Sequence, residues 1–281
     1  MGDPAPGIYL KKVEPMIRPK KHLGQHFLRD ENIAQKIVGY LNPEYPLVLE
    51  IGPGMGSLSK YLLQDPRFDP YFMEVDREAV SYLISTFPEI SGKLIEADFL
   101  KYDLSCFPSP ISHLPSPISF IGNFPYNISS QILFKALEYR HRVREVIGMF
   151  QKEVALRVAS PPGNRTYGIL SVLLQAFFEI DYLFTVNENV FDPPPKVKSA
   201  VIRLRRNEVI SLGCDEALFF RVVKMAFNQR RKTLRNALRP LLDKSLLSDD
   251  SALKQMLDLR AERLNVSDFV ALTLAIKAIS P

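Results

Sequence analysis

The sequence predicts an α/β chain, with a parallel sheet covered by helices on both faces and a small all-α region after it. Three observations carry this prediction. Short apolar runs alternate with segments of helical periodicity between residues 47 and 160. The first run, LVLEIG (47–52), empties into Gly52-Pro53-Gly54-Met55-Gly56, the composition of a strand-to-helix turn. From about Asp215 onward only helical periodicity remains.

Residues 1–20 are rich in proline and basic side chains and read as a flexible basic arm. Asp30 is placed as a helix N-cap, with Ile33, Ile37, Val38 and Leu41 recurring at helical spacing behind it. Strands are expected at 47–52, 70–76, 93–98, 118–123 and 145–150, and helices at 57–63, 77–86, 129–139 and 152–160. The strands are continuous apolar runs, as befits a sheet buried on both faces. The pentapeptide PSPIS occurs twice, at 108–112 and 115–119, and its proline density marks a surface connector. A helix opening at Gly168 is expected to end near Phe178, followed by an antiparallel pair at 181–186 and 198–204. Three helical segments close the chain, at 216–238, 251–259 and 267–278. The expected organisation is an arm (1–20), a catalytic domain (21–208) and a helical domain (209–281).

With 281 residues, 46% of them apolar, the chain can bury a sizeable core. Its net charge of +5 points only weakly to a polyanionic partner. Cys106 and Cys214 lie far apart without metal-ligand spacing, so neither a disulfide framework nor a metal site is expected. No apolar run reaches the roughly 18 residues a membrane span needs. The first residues lack the apolar stretch of a secretory signal, and a cytoplasmic location is expected.

Three features converge on one end of the expected sheet. The glycine turn permits close approach of a ligand to the backbone. Glu74, 20 residues after Gly54, is placed to accept hydrogen bonds from two ribose hydroxyls. Asp98, closing the third strand, is placed to accept from an adenine amino group. The third glycine is Gly56, and Ser57 stands where a dinucleotide fingerprint has glycine or alanine. That spacing favours S-adenosylmethionine over a nicotinamide dinucleotide and leaves a dehydrogenase as the open alternative.

Asn123-Phe124-Pro125-Tyr126 ends the fourth expected strand and addresses that alternative. The exocyclic amine of a base is a poor nucleophile because its lone pair is delocalised into the ring. An amide oxygen (Asn123) and a main-chain carbonyl (Phe124 or Pro125) can accept its two hydrogens and turn the lone pair toward a sulfonium methyl. Pro125 stiffens the turn, and Tyr126 can stack on a base taken out of its helix. No strong general base is needed, because the amine becomes acidic once methylated.

LGQHFL (23–28), LEIGPGMGSLS (49–59), EVD (74–76), EADFL (96–100), GNFPYNISSQIL (122–133), YGILSVLLQ (167–175), VFDPPPKVKSAVIRL (190–204) and AFNQRRKTLRNAL (226–238) occur in that order. As a set they resemble the bacterial ribosomal small-subunit RNA adenine dimethyltransferases over about residues 18–270. The resemblance implies a Rossmann-like S-adenosylmethionine-dependent methyltransferase domain with a small all-α C-terminal domain. It implies dimethylation of two adjacent adenines in the 3′-terminal hairpin of 16S rRNA, within the 30S subunit or its precursor, by a monomer that uses no metal. Its donor site maps to His26, Leu28, Gly52, Glu74, Asp98 and Asn123, with Gln25 and Gly54 alongside. Position 26 is often asparagine in such proteins, so His26 is expected to make contact through its backbone. Phe124 stands where leucine is usual, which bears on the width of the pocket near the amine. Phe191 matches an aromatic expected to sandwich the base opposite Tyr126, and a core phenylalanine is its alternative reading.

Residues 221–244 carry eight basic side chains (Arg221, Lys224, Arg230, Arg231, Lys232, Arg235, Arg239, Lys244) against Asp243 alone. Read as one helix, Val222, Val223, Phe227, Leu234 and Leu238 form an apolar side, and Arg231 and Arg235 share another face. Arg230, Arg231, Lys232, Arg235 and Arg239 are therefore expected to hold RNA phosphates, with Lys11, Lys12, Arg18, Lys20 and Lys21 as a second basic segment. The remaining alternatives are an adenine dimethyltransferase of the large subunit, of the macrolide-resistance type, and an assembly factor that acts mainly by binding.

Overall fold

The computed structural model describes residues 19–20, 23–107, 116–242 and 251–278. Most of the basic arm, the first PSPIS copy, Asp243 and Lys244 lie outside the described residues. Along the chain the strands are β1 (Phe27–Leu28), β2 (Leu47–Ile51), β3 (Asp69–Glu74), β4 (Leu94–Glu96), β5 (Ile118–Asn123), β6 (Val143–Gln151), β7 (Phe178–Val186), β8 (Phe191–Asp192) and β9 (Ser199–Arg206). The helices are α1 (Glu31–Val38), α2 (Ser59–Gln64), α3 (Arg77–Thr86), α4 (Ser129–Glu138), α5 (Lys152–Ala159), α6 (Ile169–Gln175), α7 (Glu216–Asn228), α8 (Leu234–Ala237), α9 (Ser251–Asp258) and α10 (Val266–Lys277).

Among the described residues, seven strands form one sheet in the order β4-β3-β2-β5-β6-β9-β7. The first five are mutually parallel. β9 then pairs antiparallel with both β6 and β7. Alternation along the strands splits the core into two layers. Leu47, Leu49, Ile51, Phe120, Val146 and Phe150 pack on one face, and Val48, Ile121, Ile147 and Met149 on the other. The α1 N-cap is as expected, with Asp30 accepting the Ile33 amide at 3.0 Å. No helix among the described residues is long and apolar enough to cross a membrane.

Two helix assignments need correction. The helix after Gly168 stops at Gln175, not near Phe178. Phe178 is already a strand residue opposite Arg206, so pairing with β9 overrides the helical continuation of the apolar pattern. The segment 216–238 is not one helix either. α7 ends at Asn228, a turn bonded from Lys232 N–H to the Gln229 carbonyl follows, and Leu234 spends its amide on the Leu259 carbonyl at 2.8 Å. Gln229, Arg230, Arg231 and Lys232 offer no apolar side chain to bury, so the helix has nothing to hold it there. Arg231 and Arg235 therefore do not share a helix face.

The apolar layer that carries Phe120 and Phe150 continues through α6 into α7 and α10. Tyr167 meets Phe227, and Phe227 meets Phe269, each with ring centroids 6.0 Å apart. The helical region thus shares its core with one face of the sheet.

Gly122 of β5 and Gly148 of β6 are paired neighbours, and the Phe124 ring lies over both. A Cβ on Gly148 would sit 2.1 Å from Phe124 Cε2, and one on Gly122 would sit 2.6 Å from Cε1. The ring also packs edge-on against Phe150 at 5.1 Å, and only 1% of the residue is exposed. The Phe124 ring is therefore held in the core, and the residue also borders a cleft at the carboxyl end of β5. Gly148→Ala should destabilise the fold by about 1–3 kcal/mol, with part of the loss recovered when Phe124→Leu is added. Urea unfolding of the single and double variants measures both.

Candidate active site

From β2 the sheet order runs through β3 to β4 on one side and from β5 to β6 on the other, so the progression of strands reverses between β2 and β5. In open α/β sheets such a switch point marks a crevice outside the carboxyl ends of the strands. A cleft of about 220 Å³ opens at this point. Gln25, His26, Leu28, Gly52, Gly54, Glu74, Asp98, Asn123, Phe124, Pro125 and Tyr126 all border it. Phe191 does not. It is 3% exposed, packs in the core layer with Leu28, and pairs with Leu28 across β1 and β8. The structure thus places Phe191 in the core layer, and among the described residues the ring recorded beside Tyr126 is that of His26.

Glu74 ends β3 and is 4% exposed. Its Oε2 accepts the Gly54 N–H at 3.0 Å, and Oε1 accepts those of Val75 and Asp76, each at 2.9 Å. Gly54 has φ +56°, and a Cβ there would meet the Phe27 ring at 3.0 Å, so the turn that aims its amide at Glu74 requires glycine. Burial raises the Glu74 pKa above the usual carboxyl range, against the pull of these three amides. The carboxylate is pinned, and its remaining lone pairs are available to a diol. Asp98, two residues beyond β4, accepts the Leu100 amide at 3.0 Å through Oδ1.

Residues 23–28 line the cleft as a strap. Lys20 Nζ is 2.6 Å from Asp76 Oδ1 and 3.2 Å from Glu78. Gln25 donates to Asp76 Oδ2 at 3.2 Å and accepts the Lys20 amide at 2.9 Å. Lys20 is thus tied to acids of the protein itself, contrary to its expected place in a basic RNA-binding segment. The His26 ring meets the Pro193 carbonyl through Nδ1 at 2.7 Å, which requires a proton on that nitrogen. Ser57 donates to the Leu28 carbonyl at 2.6 Å.

Asn123 is fixed by the same strap. Its Nδ2 donates to the His26 carbonyl at 2.7 Å. With the nitrogen committed, Oδ1 is the polar atom the amide offers elsewhere. His26 thus holds Asn123 through its backbone, while its ring meets the Pro193 carbonyl and lies beside Tyr126. In the turn that follows, the Pro125 carbonyl accepts the Ile128 N–H at 3.2 Å. Tyr126 is half-buried, with its hydroxyl on Ser199 and its ring 5.3 Å from that of His26.

Two residues of the cleft escaped the sequence reading. Glu50 of β2 is 2% exposed, accepts the Ser59 hydroxyl at 2.7 Å, and is pushed up to about 8, chiefly by burial. An acid inside an otherwise apolar strand that runs into the glycine turn was the available signal. Val75, between two acids, is 50% exposed and borders the cleft. An exposed apolar wall beside a pinned carboxylate fits the face of a purine over its ribose. These groups fit a nucleoside: a diol acceptor, an apolar wall and an amine acceptor.

The basic residues divide. Arg230 contacts Glu262 at 3.8 Å and the Arg165 carbonyl, and Arg235 pairs with Asp258 at 2.9 Å. Arg231, Lys232 and Arg239 are exposed. Lys232 and Arg239 border an open groove together with Gln229 and Asn236.

Glu50 gives the fold a pH signature. Its folded pKa lies above its unfolded value, so the folded state holds the extra proton between about 4.5 and about 8. The stability tied to that proton is present at low pH and lost as pH rises through this window. Melting curves from pH 5 to 8.5 should therefore fall more steeply for the native chain than for Glu50→Gln; parallel curves would remove Glu50 as the source.

The model of the ribosomal RNA adenine dimethylase family matches residues 16–269. The chain is 53% identical over 259 residues to the ribosomal RNA small subunit methyltransferase A of Cytophaga hutchinsonii, covering 92% of this chain and 96% of that one. It is 54% identical over 260 residues to the protein of the same name from Parabacteroides distasonis, covering 92% and 94%. A dimethyladenosine transferase from Plasmodium falciparum has the same fold, with a TM-score of 0.72 at 24% identity over 90% of this chain and 98% of that one. So does the 23S rRNA methyltransferase ErmE, with a TM-score of 0.65 at 23% identity over 89% and 99%. With a family match over most of its length and relatives more than half identical to it, the chain belongs to the ribosomal RNA adenine dimethylase family.

Proposed function

We propose that this chain uses S-adenosylmethionine to dimethylate two adjacent adenines in the 3′-terminal hairpin of 16S rRNA. It acts as a cytoplasmic monomer on the small ribosomal subunit or its precursor. The observation that carries this reading is the Asn123 amide, held by the strap through Nδ2 so that Oδ1 serves the target amine. The small-subunit substrate is taken from the names of the relatives more than half identical to it.

The donor supplies an electrophilic methyl on a positively charged sulfur. Glu74 holds the ribose hydroxyls, and Val75 and the Asp98 turn hold the adenine. The Asn123 oxygen accepts one hydrogen of the target amine. The Phe124 carbonyl accepts the other, because the Pro125 carbonyl already closes the turn. Together they rotate the lone pair out of the base plane and offset the positive charge that builds on nitrogen. The Tyr126 ring steadies the base. The proton leaves to water once the methyl is in place. For the second transfer only one N–H remains, so one of the two acceptors holds the amine while the first methyl occupies the place of the other hydrogen.

The exposed Lys232 and Arg239 face the RNA backbone. Arg230 and Arg235, engaged with Glu262 and Asp258, shape the helical region that presents them.

Labelled donor should pass methyl groups to unmodified 30S subunits rather than to 50S subunits, and nucleoside digestion should yield N6,N6-dimethyladenosine. Transfer to 50S, or a different product, overturns the reading. Asn123→Ala is expected to lower kcat about 10²-fold and to change donor affinity less. Replacing Lys232 and Arg239 together by alanine should reduce the log–log salt dependence of RNA binding by about 1.5, whereas Arg235→Ala should leave the slope near its original value. Fluorescence anisotropy with a 16S hairpin across a salt series reads both.

A further inference from the structure

Lys135, on the second turn of α4, is 7% exposed. Its Nζ donates to the carbonyls of Phe99 at 2.6 Å, Leu100 at 3.0 Å and Tyr102 at 2.5 Å. Three bonds use every hydrogen of the ammonium. A buried cation needs such partners, and each carbonyl in turn needs its donor, so the arrangement is fixed from both sides.

The segment that supplies these carbonyls follows β4 and has no strand or α-helix to shape it. Asp98 opens it. The Asp98 side chain accepts the Leu100 N–H, and its carbonyl accepts those of Lys101 and Tyr102, each at 3.0 Å. Asp98 thus satisfies the N–H side of this turn while Lys135 satisfies its carbonyl side. Asp98 and Leu100 both border the cleft. α4, which carries Lys135, begins at Ser129, six residues after Asn123. One side chain therefore joins the turn on the adenine side of the cleft to the helix that follows the amine-holding loop.

We propose that Lys135 is a positioning residue for the donor's adenine, holding the Asp98–Tyr102 turn by its three carbonyls and fixing it relative to the Asn123 loop. This rests on reading the cleft as the donor site. Lys135 touches neither donor nor base, so its loss acts on donor binding before it acts on the transfer step. In Lys135→Met the stem remains and the three bonds vanish. In Lys135→Arg the cation and its donors remain.

The test measures S-adenosylhomocysteine binding by calorimetry and steady-state methylation of 30S subunits for both variants, with Asp98→Ala alongside. The expected result for Lys135→Met is a dissociation constant and a donor KM raised about tenfold or more, with kcat within about threefold of the native value. Lys135→Arg should return both constants to within about threefold. If Lys135→Met does not fold, Lys135→Gln is read in its place. A folded Lys135→Met with native affinity while Asp98→Ala has lost its own overturns the role of Lys135 alone. Native affinity in Asp98→Ala overturns the placement of the adenine, and this proposal with it. An equal fall in kcat with unchanged KM also overturns it, since that pattern belongs to a group acting on the transfer step.

Discussion

One hydrogen bond organises the reacting end of this molecule: Asn123 Nδ2 to the His26 carbonyl, at 2.7 Å. An amide can present oxygen or nitrogen to a ligand, and its partner decides which. Here the partner is the backbone of a strap that is itself held at several points. β1 of the strap pairs with β8, the His26 ring meets the Pro193 carbonyl, and the Leu28 carbonyl takes the Ser57 hydroxyl. The Asn123 amide is therefore only as well oriented as the strap is well seated. A group intended to bind a weakly nucleophilic amine needs such preorganisation, because its benefit lies in not having to reorganise as charge develops.

The carboxylates around the cleft differ in burial and in the donors that hold them. Glu74 is nearly inaccessible and is kept in place by three backbone amides that oppose the effect of burial. Glu50 is deeper, has only the Ser59 hydroxyl as a donor at 2.7 Å, and is raised much further. Asp98 lies on an irregular turn and is more exposed. The two ends of the cleft thus rest on different supports. Glu50 and Glu74 are built into central strands, while Asp98 depends on the shape of a turn.

The helical region is continuous with the sheet through its apolar contacts, from Tyr167 through Phe227 to Phe269. Its basic residues have two distinct tasks. Arg230 and Arg235 contact Glu262 and Asp258 and so brace the helices, whereas Lys232 and Arg239 border a groove open to solvent. A charge count along the chain cannot separate the two groups, since they alternate within ten residues.

The central strands were legible because a buried parallel strand is apolar along its whole length, and ISFIGN became β5 with the expected limits. Glu74, Asp98 and Asn123 were legible because chain order alone puts the carboxyl ends of parallel strands on one edge of the sheet. What the sequence left open depended on partners distant along the chain. The helix after Gly168 gives way to the strand in which Phe178 pairs with β9, and α7 stops where residues 229–232 offer no apolar side chain to bury. Phe191 went into the core because it pairs with Leu28, 163 positions earlier. By itself the sequence determined the sheet, the side of it that binds, and the chemical types gathered there, since all three follow from local periodicity and spacing. Only the tertiary structure decided which atom of Asn123 is tied to the strap and which cations are engaged by acids of the chain, since both depend on hydrogen bonds and ion pairs that form only once the chain is folded.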